Sequence, residues 1–208
     1  LTLCAMLCKL DGNTLYVDPY WEILTTWVNY LAENGQDPDN QLCTDDFAGH
    51  WAHNCNLSLK AICGVAGYAE MARMKGDVAT ADHYLGVARS MARQWEEQAL
   101  DGDHYRLAFD RPGTWSQKYN IVWDKLWNLG LFSPKVYERE LRYYLGQQHT
   151  YGLPLDCRRT YTKSDWIMWT AALSPTQSMF RQFMLPVYRY IHETPSRVPL
   201  SDWHETDD

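Results

Sequence analysis

The sequence predicts an all-α protein in which helices pair into hairpins around a toroid, the (α/α) arrangement. Two observations lead to this prediction. Apolar residues recur every three or four positions along nearly the whole chain, which is the spacing of a buried helix face. The connections between these segments alternate between short turns and long polar loops. Because successive helices of such an array run in opposite directions, alternate connections lie at the same end.

Eight helices are expected from this spacing, and no segment shows a convincing strand alternation. They cover about residues 1–10, 19–34, 53–74, 78–100, 116–129, 134–148, 164–173 and 175–192. The clearest apolar stripes are Tyr20, Ile23, Leu24, Trp27, Val28 and Leu31; Ala81, Tyr84, Leu85, Ala88, Met91, Ala92, Trp95 and Ala99; and Phe180, Phe183, Met184, Val187 and Ile191.

Four of the helices are expected to begin at short structural turns. Asp18-Pro19, Ser133-Pro134 and Ser174-Pro175 each place a capping residue before a proline, and Gly76-Asp77 precedes the fourth helix. Such side chains accept hydrogen bonds from the first helical amides, and proline fits the first turn because its missing amide hydrogen is not needed there.

The other connections are long and rich in polar and aromatic residues. They are QLCTDDFAGHWAHN (41–54), GTWSQKYN (113–120), RRTYTKSDW (158–166) and SRVPLSDW (196–203). In an alternating array these loops converge on one end, where function usually recruits them. We therefore expect Asp45, Tyr119, Lys163 and Arg197 at the same end of the helices.

The whole chain is expected to be a portion of one toroid domain, with about four helical hairpins and no internal boundary. No Gly/Ser-rich or Pro-rich linker divides it. A closed ring normally needs more hairpins, so the flanking regions of the same full-length protein are expected to supply them. The 208-residue piece alone is then expected to be inactive or unstable, because an open ring exposes apolar flanks.

The composition excludes some partners. A formal net charge of −7 disfavours nucleic acid, whose phosphates need clustered Lys and Arg. No uncharged apolar run approaches the roughly 18 residues of a membrane span. Ten tryptophans and fourteen tyrosines favour a large core or a concave site for a polar organic ligand, such as a small molecule or a saccharide.

The six cysteines lack zinc-binding spacing and are expected to be buried free thiols, with one disulfide as the alternative. His50 and His53 have no HExxH pattern or third ligand beside them, so neither a metal nor a cofactor is predicted.

Four long stretches resemble the glutaminase A family, in the family's order. They are QLCTDDFAGHWAHNCNLSLKAI, GDHYRLAFDRPGTWSQKYNIVWDKLW, YGLPLDCRRTYTKSDWIMWTAAL and ETPSRVPLSDWHET. The resemblance implies a six-hairpin toroid of the kind that many glycosidases use, usually preceded by a β-rich region. It also implies hydrolysis of L-glutamine to L-glutamate and ammonia, in an extracellular or cell-envelope protein.

Residue chemistry gives the candidate site. Hydrolysis needs a base for water and an acid for the leaving group, which carboxylates and His can divide between them. The catalytic candidates are Asp45, Asp46, His50, Asp124, Lys163 and Asp165, and the substrate-binding candidates are His53, Asn54, Trp115, Tyr119, Trp123, Arg197 and Asp202. Arg197 lies between two prolines and suits an α-carboxylate, as an Asp suits an α-ammonium.

Each group also has a structural interpretation. Thr44 and Asp45 suit helix capping, and Arg197 suits an ion pair with Asp202. The residues at 115, 119 and 123 share a helical face that a core would also use. We expect Ser164 to cap its helix while Lys163 or Asp165 faces the substrate. The functional alternatives are a glycoside hydrolase of the same toroidal shape and a non-catalytic ligand-binding toroid.

Overall fold

A computed structural model describes residues 1–39, 46–195 and 199–207. The helices of that part are α1 (Thr2–Asp11), α2 (Trp21–Asn34), α3 (Cys55–Met74), α4 (Val78–Gln98), α5 (Val122–Trp127), α6 (Pro134–Gln147), α7 (Ser164–Ala172) and α8 (Gln177–Glu193). The strands are β1 (Leu100–Asp101), β2 (His104–Tyr105), β3 (Tyr161–Lys163) and β4 (Trp203–Glu205). Helices dominate and the strands form only two-stranded ribbons, which confirms the all-α class.

All eight expected helices are found, but one begins six residues later than predicted and another lacks its predicted cap. The helix expected at 116–129 is α5, only Val122–Trp127, because Ser116 and Gln117 are extended and bonded to residues 155 and 156. A 3₁₀ turn at Tyr119–Ile121 leads into α5. Ser174 does not cap α8; the hydroxyl of Thr176 accepts the Met179 amide at 3.2 Å.

The chain forms two compact units, of which the first contains Leu1–Gln98 and Trp123–Phe132. Helix α3 is its centre, buried nearly all round and packed against α1, α2 and α4. A tight turn joins α3 to α4, where Gly76 has a φ of +84° that disfavours other residues. The next residue, Asp77, accepts the Thr80 amide at 3.1 Å and so caps α4 as predicted.

The predicted apolar stripe of α2 is buried only in part. Leu24 and Val28 are buried within the first unit, whereas Ile23 and Trp27 are 48% and 49% exposed. Within the described residues, the apolar stripe of α2 is wider than the surface that packs against it. By contrast, the α4 stripe is largely buried, with Trp95 donating its indole hydrogen to the Cys55 carbonyl at 2.9 Å.

The cysteines follow the prediction incompletely. Cys8, Cys55 and Cys63 are buried thiols outside any disulfide, but the Cys157 thiol is exposed, so burial does not hold for every cysteine. Burial and the nearby Asp124 carboxylate raise the pKa of the Cys63 thiol well above its usual range. Cys43 lies outside the described residues.

The second unit contains Ala99–Val122 and Ser133–Asp208. Strands β1 and β2 form a hairpin, and β3 pairs with β4 in the antiparallel register Tyr161↔Glu205, Thr162↔His204 and Lys163↔Trp203. Helices α7 and α8 pack together, and α6 packs beside β2. Strands of two or three residues are too short for a period-two pattern to reveal, so the sequence did not predict them.

Lys118 lies at the buried centre of the second unit. Its side chain is buried, and Nζ donates to the carbonyls of Tyr105 and Ser116 at 3.1 and 2.9 Å. The carboxylate of Glu140, itself 2% exposed, lies 3.6 Å from Nζ and accepts the Tyr105 amide at 2.9 Å. The Tyr144 hydroxyl accepts the Lys118 amide at 2.9 Å and donates to Glu140. A buried charge is tolerated only with such partners.

The neighbouring Gln117 is equally buried and fastens three further segments. Its Nε2 lies 3.1 Å from the carbonyl oxygen of Leu153 and 3.3 Å from the Thr162 hydroxyl on β3. Its Oε1 accepts the Thr170 hydroxyl on α7 at 2.9 Å. The side chains of residues 117 and 118 therefore connect β2, β3, α6 and α7.

We expect Lys118→Met to destabilise the protein by about 3–5 kcal/mol, because the buried Glu140 carboxylate would lose its cation. Denaturant unfolding measures the change. Lys9→Met is the matched control, since Lys9 pairs with Glu70 at 2.8 Å with the two side chains 33% and 19% exposed. Partly exposed pairs contribute only about 0–1 kcal/mol. Equal losses in the two variants would contradict the assignment of Lys118 as an essential buried partner.

Candidate active site

Two of the predicted site residues meet where β3 ends, and a third follows in the first turn of α7. Lys163 is the last residue of β3, and its Nζ lies 3.2 Å from Oδ2 of Asp202, which precedes β4. The Ser164 amide donates to the Asp202 carbonyl at 2.8 Å. Asp165 lies in the first turn of α7, where its Oδ1 accepts the Trp166 amide at 3.0 Å. One ribbon end thus carries two carboxylates and an ammonium.

The ion pair at this end is open to solvent. The Lys163 and Asp202 side chains are 30% and 55% exposed. The hydrogen bond and positive charge of Lys163 lower the pKa of the Asp202 carboxyl below its usual range. Ser164 does not cap α7 as expected, because it is the first helical residue and the N-cap position is Lys163.

An aromatic cluster supports the start of α7. The ring of Tyr119 stacks on Trp166 at 4.1 Å with an angle of 5° between the planes, and Trp169 meets Trp166 edge-on at 5.2 Å. Tyr119 has no exposed surface, so it packs against the buried face of Trp166. Trp166 is half-buried, and its Nε1 is buried without a hydrogen-bond partner among the residues that the structure describes. Trp166 was not among the predicted site residues, although it directly follows Asp165.

A bidentate clamp holds the loop that enters β3. The carboxylate of Asp156, 3% exposed, accepts Arg158 Nε at 3.0 Å from each oxygen and Nη2 at 2.6 Å. The Arg158 amide donates to the same carboxylate at 2.8 Å. Together with the bond from Gln117 to Thr162, this clamp fixes the backbone that carries Lys163.

The predicted residues before α3 have structural contacts. The Asn54 side chain accepts the Leu57 amide at 2.9 Å and caps α3. The alternative of helix capping by Thr44 and Asp45 falls outside the described residues. His53 has a φ of +62°, and its Nδ1 lies 2.9 Å from Asp37 Oδ1. Both side chains thus help to shape this turn, and their contact with a substrate stays a prediction.

The catalytic roles predicted for three other residues of this loop stay untested. His50 is exposed in the loop before α3. Asp46 begins a 3₁₀ turn, Asp46–Ala48, but its side chain lies outside the description. Asp45 falls in the gap at 40–45 and Arg197 in the gap at 196–198, so the prediction of a shared end stays untested for both. The other two residues expected at that end, Lys163 and Tyr119, belong to the second unit. Lys163 directly precedes α7, and Tyr119 stacks on Trp166 of the same helix.

The aromatic face predicted for residues 115, 119 and 123 does not exist, because Trp115 lies in the extended segment before the 3₁₀ turn. Trp115, 7% exposed, packs against Tyr143 at 5.9 Å. Trp123, 6% exposed, packs against Trp127 at 5.2 Å in the first unit. Both rings belong to the core.

Asp124 is also buried, with 3% of its surface exposed. Its Oδ1 accepts the Leu131 amide at 2.9 Å, and its Oδ2 lies 3.4 Å from the Phe132 amide nitrogen. A buried acid at this position was predicted to need partners. Asp124 has them, and two are backbone amides that follow α5. The carboxylate thus closes the turn at 128–132.

Within residues 1–39, 46–195 and 199–207, no group of three or more His, Cys, Asp or Glu side chains is arranged to hold a metal ion. In the same ranges, no helix has the length and apolar character needed to cross a membrane.

We expect Asp124→Asn to destabilise the protein by about 1–3 kcal/mol, because the new NH₂ group would face one of two buried backbone amides. Thermal or denaturant unfolding measures this loss. Asp82→Asn serves as the control, since Asp82 is 65% exposed in its pair with Arg73. A catalytic Asp124 would instead lose activity while its melting temperature stayed the same.

The buried His204 predicts a pH dependence of stability. Its ring stacks on Tyr190 at 3.7 Å, its Nε2 lies 3.0 Å from the Tyr151 carbonyl oxygen, and burial lowers its pKa. The neutral form therefore stabilises the fold above its ordinary pKa of about 6.5, and this contribution is lost as the pH falls below that value. His204→Phe keeps the ring stack without titrating, so its unfolding free energy should fall less than that of the wild type between about pH 7.5 and 5.5. Identical slopes would contradict this origin.

Comparison with known proteins places the chain in a family. Residues 1–208 match the family described as the Glutaminase A six helical-hairpin domain. A protein of Arthroderma benhamiae named Probable glutaminase is 30% identical, over 93% of this chain and 26% of its own length. Glutaminase A of Aspergillus oryzae is 32% identical, over 92% of this chain and 28% of its own length. The chain thus spans about a quarter of the length of these relatives. It belongs to the glutaminase A six helical-hairpin domain family.

Proposed function

We propose that the full-length protein containing this chain is a hydrolase that converts L-glutamine to L-glutamate and ammonia. The observation that carries the proposal is the grouping of Lys163, Asp165 and Asp202 at one ribbon end of a chain that belongs to this family. The names of the two relatives support the same reaction. Extracellular or cell-envelope localisation, implied by the family resemblance, is part of this proposal.

The chemistry of amide hydrolysis suits these groups. A base must take a proton from the attacking water, and a cation or hydrogen-bond donor must stabilise the negative oxygen that forms. We assign the base to Asp165, which lies half-buried at the start of α7, two residues after Lys163. A carboxylate is a sufficient base when the water lies within hydrogen-bond distance. Protonated Asp165 can return that proton to the leaving nitrogen. The catalytic roles predicted from the sequence for Asp45, Asp46 and His50 stay predictions.

The buried candidates are excluded from direct roles in this proposal. Asp124 accepts two backbone amides, and Trp115 and Trp123 pack within the core. Tyr119 acts through Trp166, on which it stacks. Substrate contact is thereby concentrated on the exposed polar residues of the ribbon end and on Trp166.

Asp165→Asn in the full-length protein should lower the turnover number for glutamine by about 10²–10⁴-fold, because the amide cannot accept the water proton. The melting temperature should change little, since the Asn oxygen can still accept the Trp166 amide. Ammonia release from L-glutamine measures the rate, and Asp82→Asn is the control that should retain wild-type turnover.

Several outcomes would contradict this assignment. If Asp165→Asn keeps at least half of the wild-type turnover, the base is sought among Asp45, Asp46 and His50 by the same substitution or by His50→Gln. If the protein releases reducing sugars from a glycan panel and no ammonia from glutamine, it is a glycoside hydrolase. Saturable binding without turnover of either substrate class would identify a binding toroid.

A further inference from the structure

We propose that Lys163 and Asp202 together form a receptor for the charged head group of an α-amino acid. In this arrangement the two side chains separate, the Lys163 ammonium binds the α-carboxylate, and the Asp202 carboxylate binds the α-ammonium. The inference rests on the proposed function for its choice of substrate, and it assigns that substrate's recognition to a pair of residues.

The backbone positions of both residues are fixed independently of their side-chain contact. Lys163 is register partner to Trp203, and the Ser164 amide bonds to the Asp202 carbonyl at 2.8 Å. The strand neighbour Thr162 is tied to the buried Gln117. Breaking the side-chain pair therefore leaves the ribbon in place, as a receptor requires.

The side-chain contact itself is weak. Lys163 Nζ and Asp202 Oδ2 lie 3.2 Å apart, and the two side chains are 30% and 55% exposed. Ion pairs so open to water contribute about 0–1 kcal/mol, so their separation costs little. The Asp156–Arg158 pair of the same unit differs, because it is bidentate and its carboxylate is 3% exposed. Of these two pairs, only Lys163–Asp202 is accessible enough to exchange partners with a ligand.

The charges of the pair match those of a zwitterion. An α-amino acid carries its ammonium and carboxylate on one carbon, so it can insert between two opposite charges and restore a neutral arrangement. The α-carboxylate of the ligand would lie beside the start of α7, a nine-residue helix whose dipole favours an anion at this end. The ligand's charged groups then form charge-assisted hydrogen bonds on both sides.

The surroundings suit the rest of such a ligand. Trp203 lies directly opposite Lys163 in the ribbon and is 50% exposed. Side chains at directly opposite positions share one face of an antiparallel pair, so this indole offers an apolar surface for the methylene groups of a glutamine.

The test uses substrates that each lack one charge, with variants of the full-length protein. N-acetyl-L-glutamine has no ammonium, and L-glutamine α-amide has no carboxylate. In the wild type we expect kcat/KM to favour L-glutamine over each analogue by about 10–100-fold, the range for hydrogen bonds to charged groups. Asp202→Asn should abolish the preference over the N-acetyl analogue alone, and Lys163→Met the preference over the α-amide alone. Both losses should arise mainly in KM.

A merely structural pair would give a different pattern. Each variant would then lower kcat/KM for all three substrates by the same factor, which would overturn the inference while glutamine hydrolysis remained. Asp82→Asn, which removes one charge from the exposed pair with Arg73, should leave both preferences at their wild-type values.

Failure of the proposed function has its own signature, because no ammonia would then be released from glutamine by the wild type. In that case the receptor is tested by measuring whether L-glutamine raises the melting temperature. Stabilisation of the wild type that is lost in both Asp202→Asn and Lys163→Met supports it. No stabilisation of the wild type, or equal stabilisation of the variants, overturns it.

Discussion

The buried ammonium of Lys118 is the constraint on which the second unit depends. An ammonium without water must find acceptors in its surroundings, and here they come from Tyr105, Ser116 and Glu140. Burial raises the pKa of the Glu140 carboxyl, whereas Lys118 and the hydrogen bond from Tyr144 oppose that rise. The hairpin of β1 and β2, the extended segment before α5 and helix α6 therefore have to come together at one point.

The same extended segment connects the core to the candidate site. Gln117 lies beside Lys118 and binds Thr162 and Thr170, which belong to β3 and α7. Tyr119 follows directly and stacks on Trp166. Three consecutive residues thus join the buried charge network, the ribbon and the aromatic cluster. The exposed polar groups at the ribbon end can remain weakly held because the layer beneath them is rigid.

The sequence predicted the helices well because amphipathic periods of three and four residues are repeated over ten or more positions. It was misled at residues 115–123, where aromatic residues four apart imitate a helical face although the segment before Tyr119 is extended. No periodic signal marks Gln117 and Lys118 as buried, since polar residues in a loop are normally solvated. Their burial follows from acceptors that are distant in sequence, such as Glu140 and Thr162.

The candidate site was predictable in part for similar reasons. Lys163, Asp165 and Asp202 belong to polar loops, and their grouping follows from the pairing of β3 with β4. Asp124 and Asn54 carry side chains equally suited to chemistry and to binding backbone amides, and only the structure distinguishes the two uses. Trp166 was overlooked because a tryptophan in a helical pattern is ordinarily assigned to a core.

The network around Lys118 also bears on how the second unit folds. Its contacts join residues 105, 118 and 140, whereas α3 and α4 of the first unit form a hairpin of neighbours in sequence. Contacts between distant residues require long loops to close before any stabilisation is gained, and folding rates decrease accordingly. The charge network of the second unit should therefore form only after these loops have closed. Until then its lysine and glutamate remain hydrated, and the ribbon end has no rigid support.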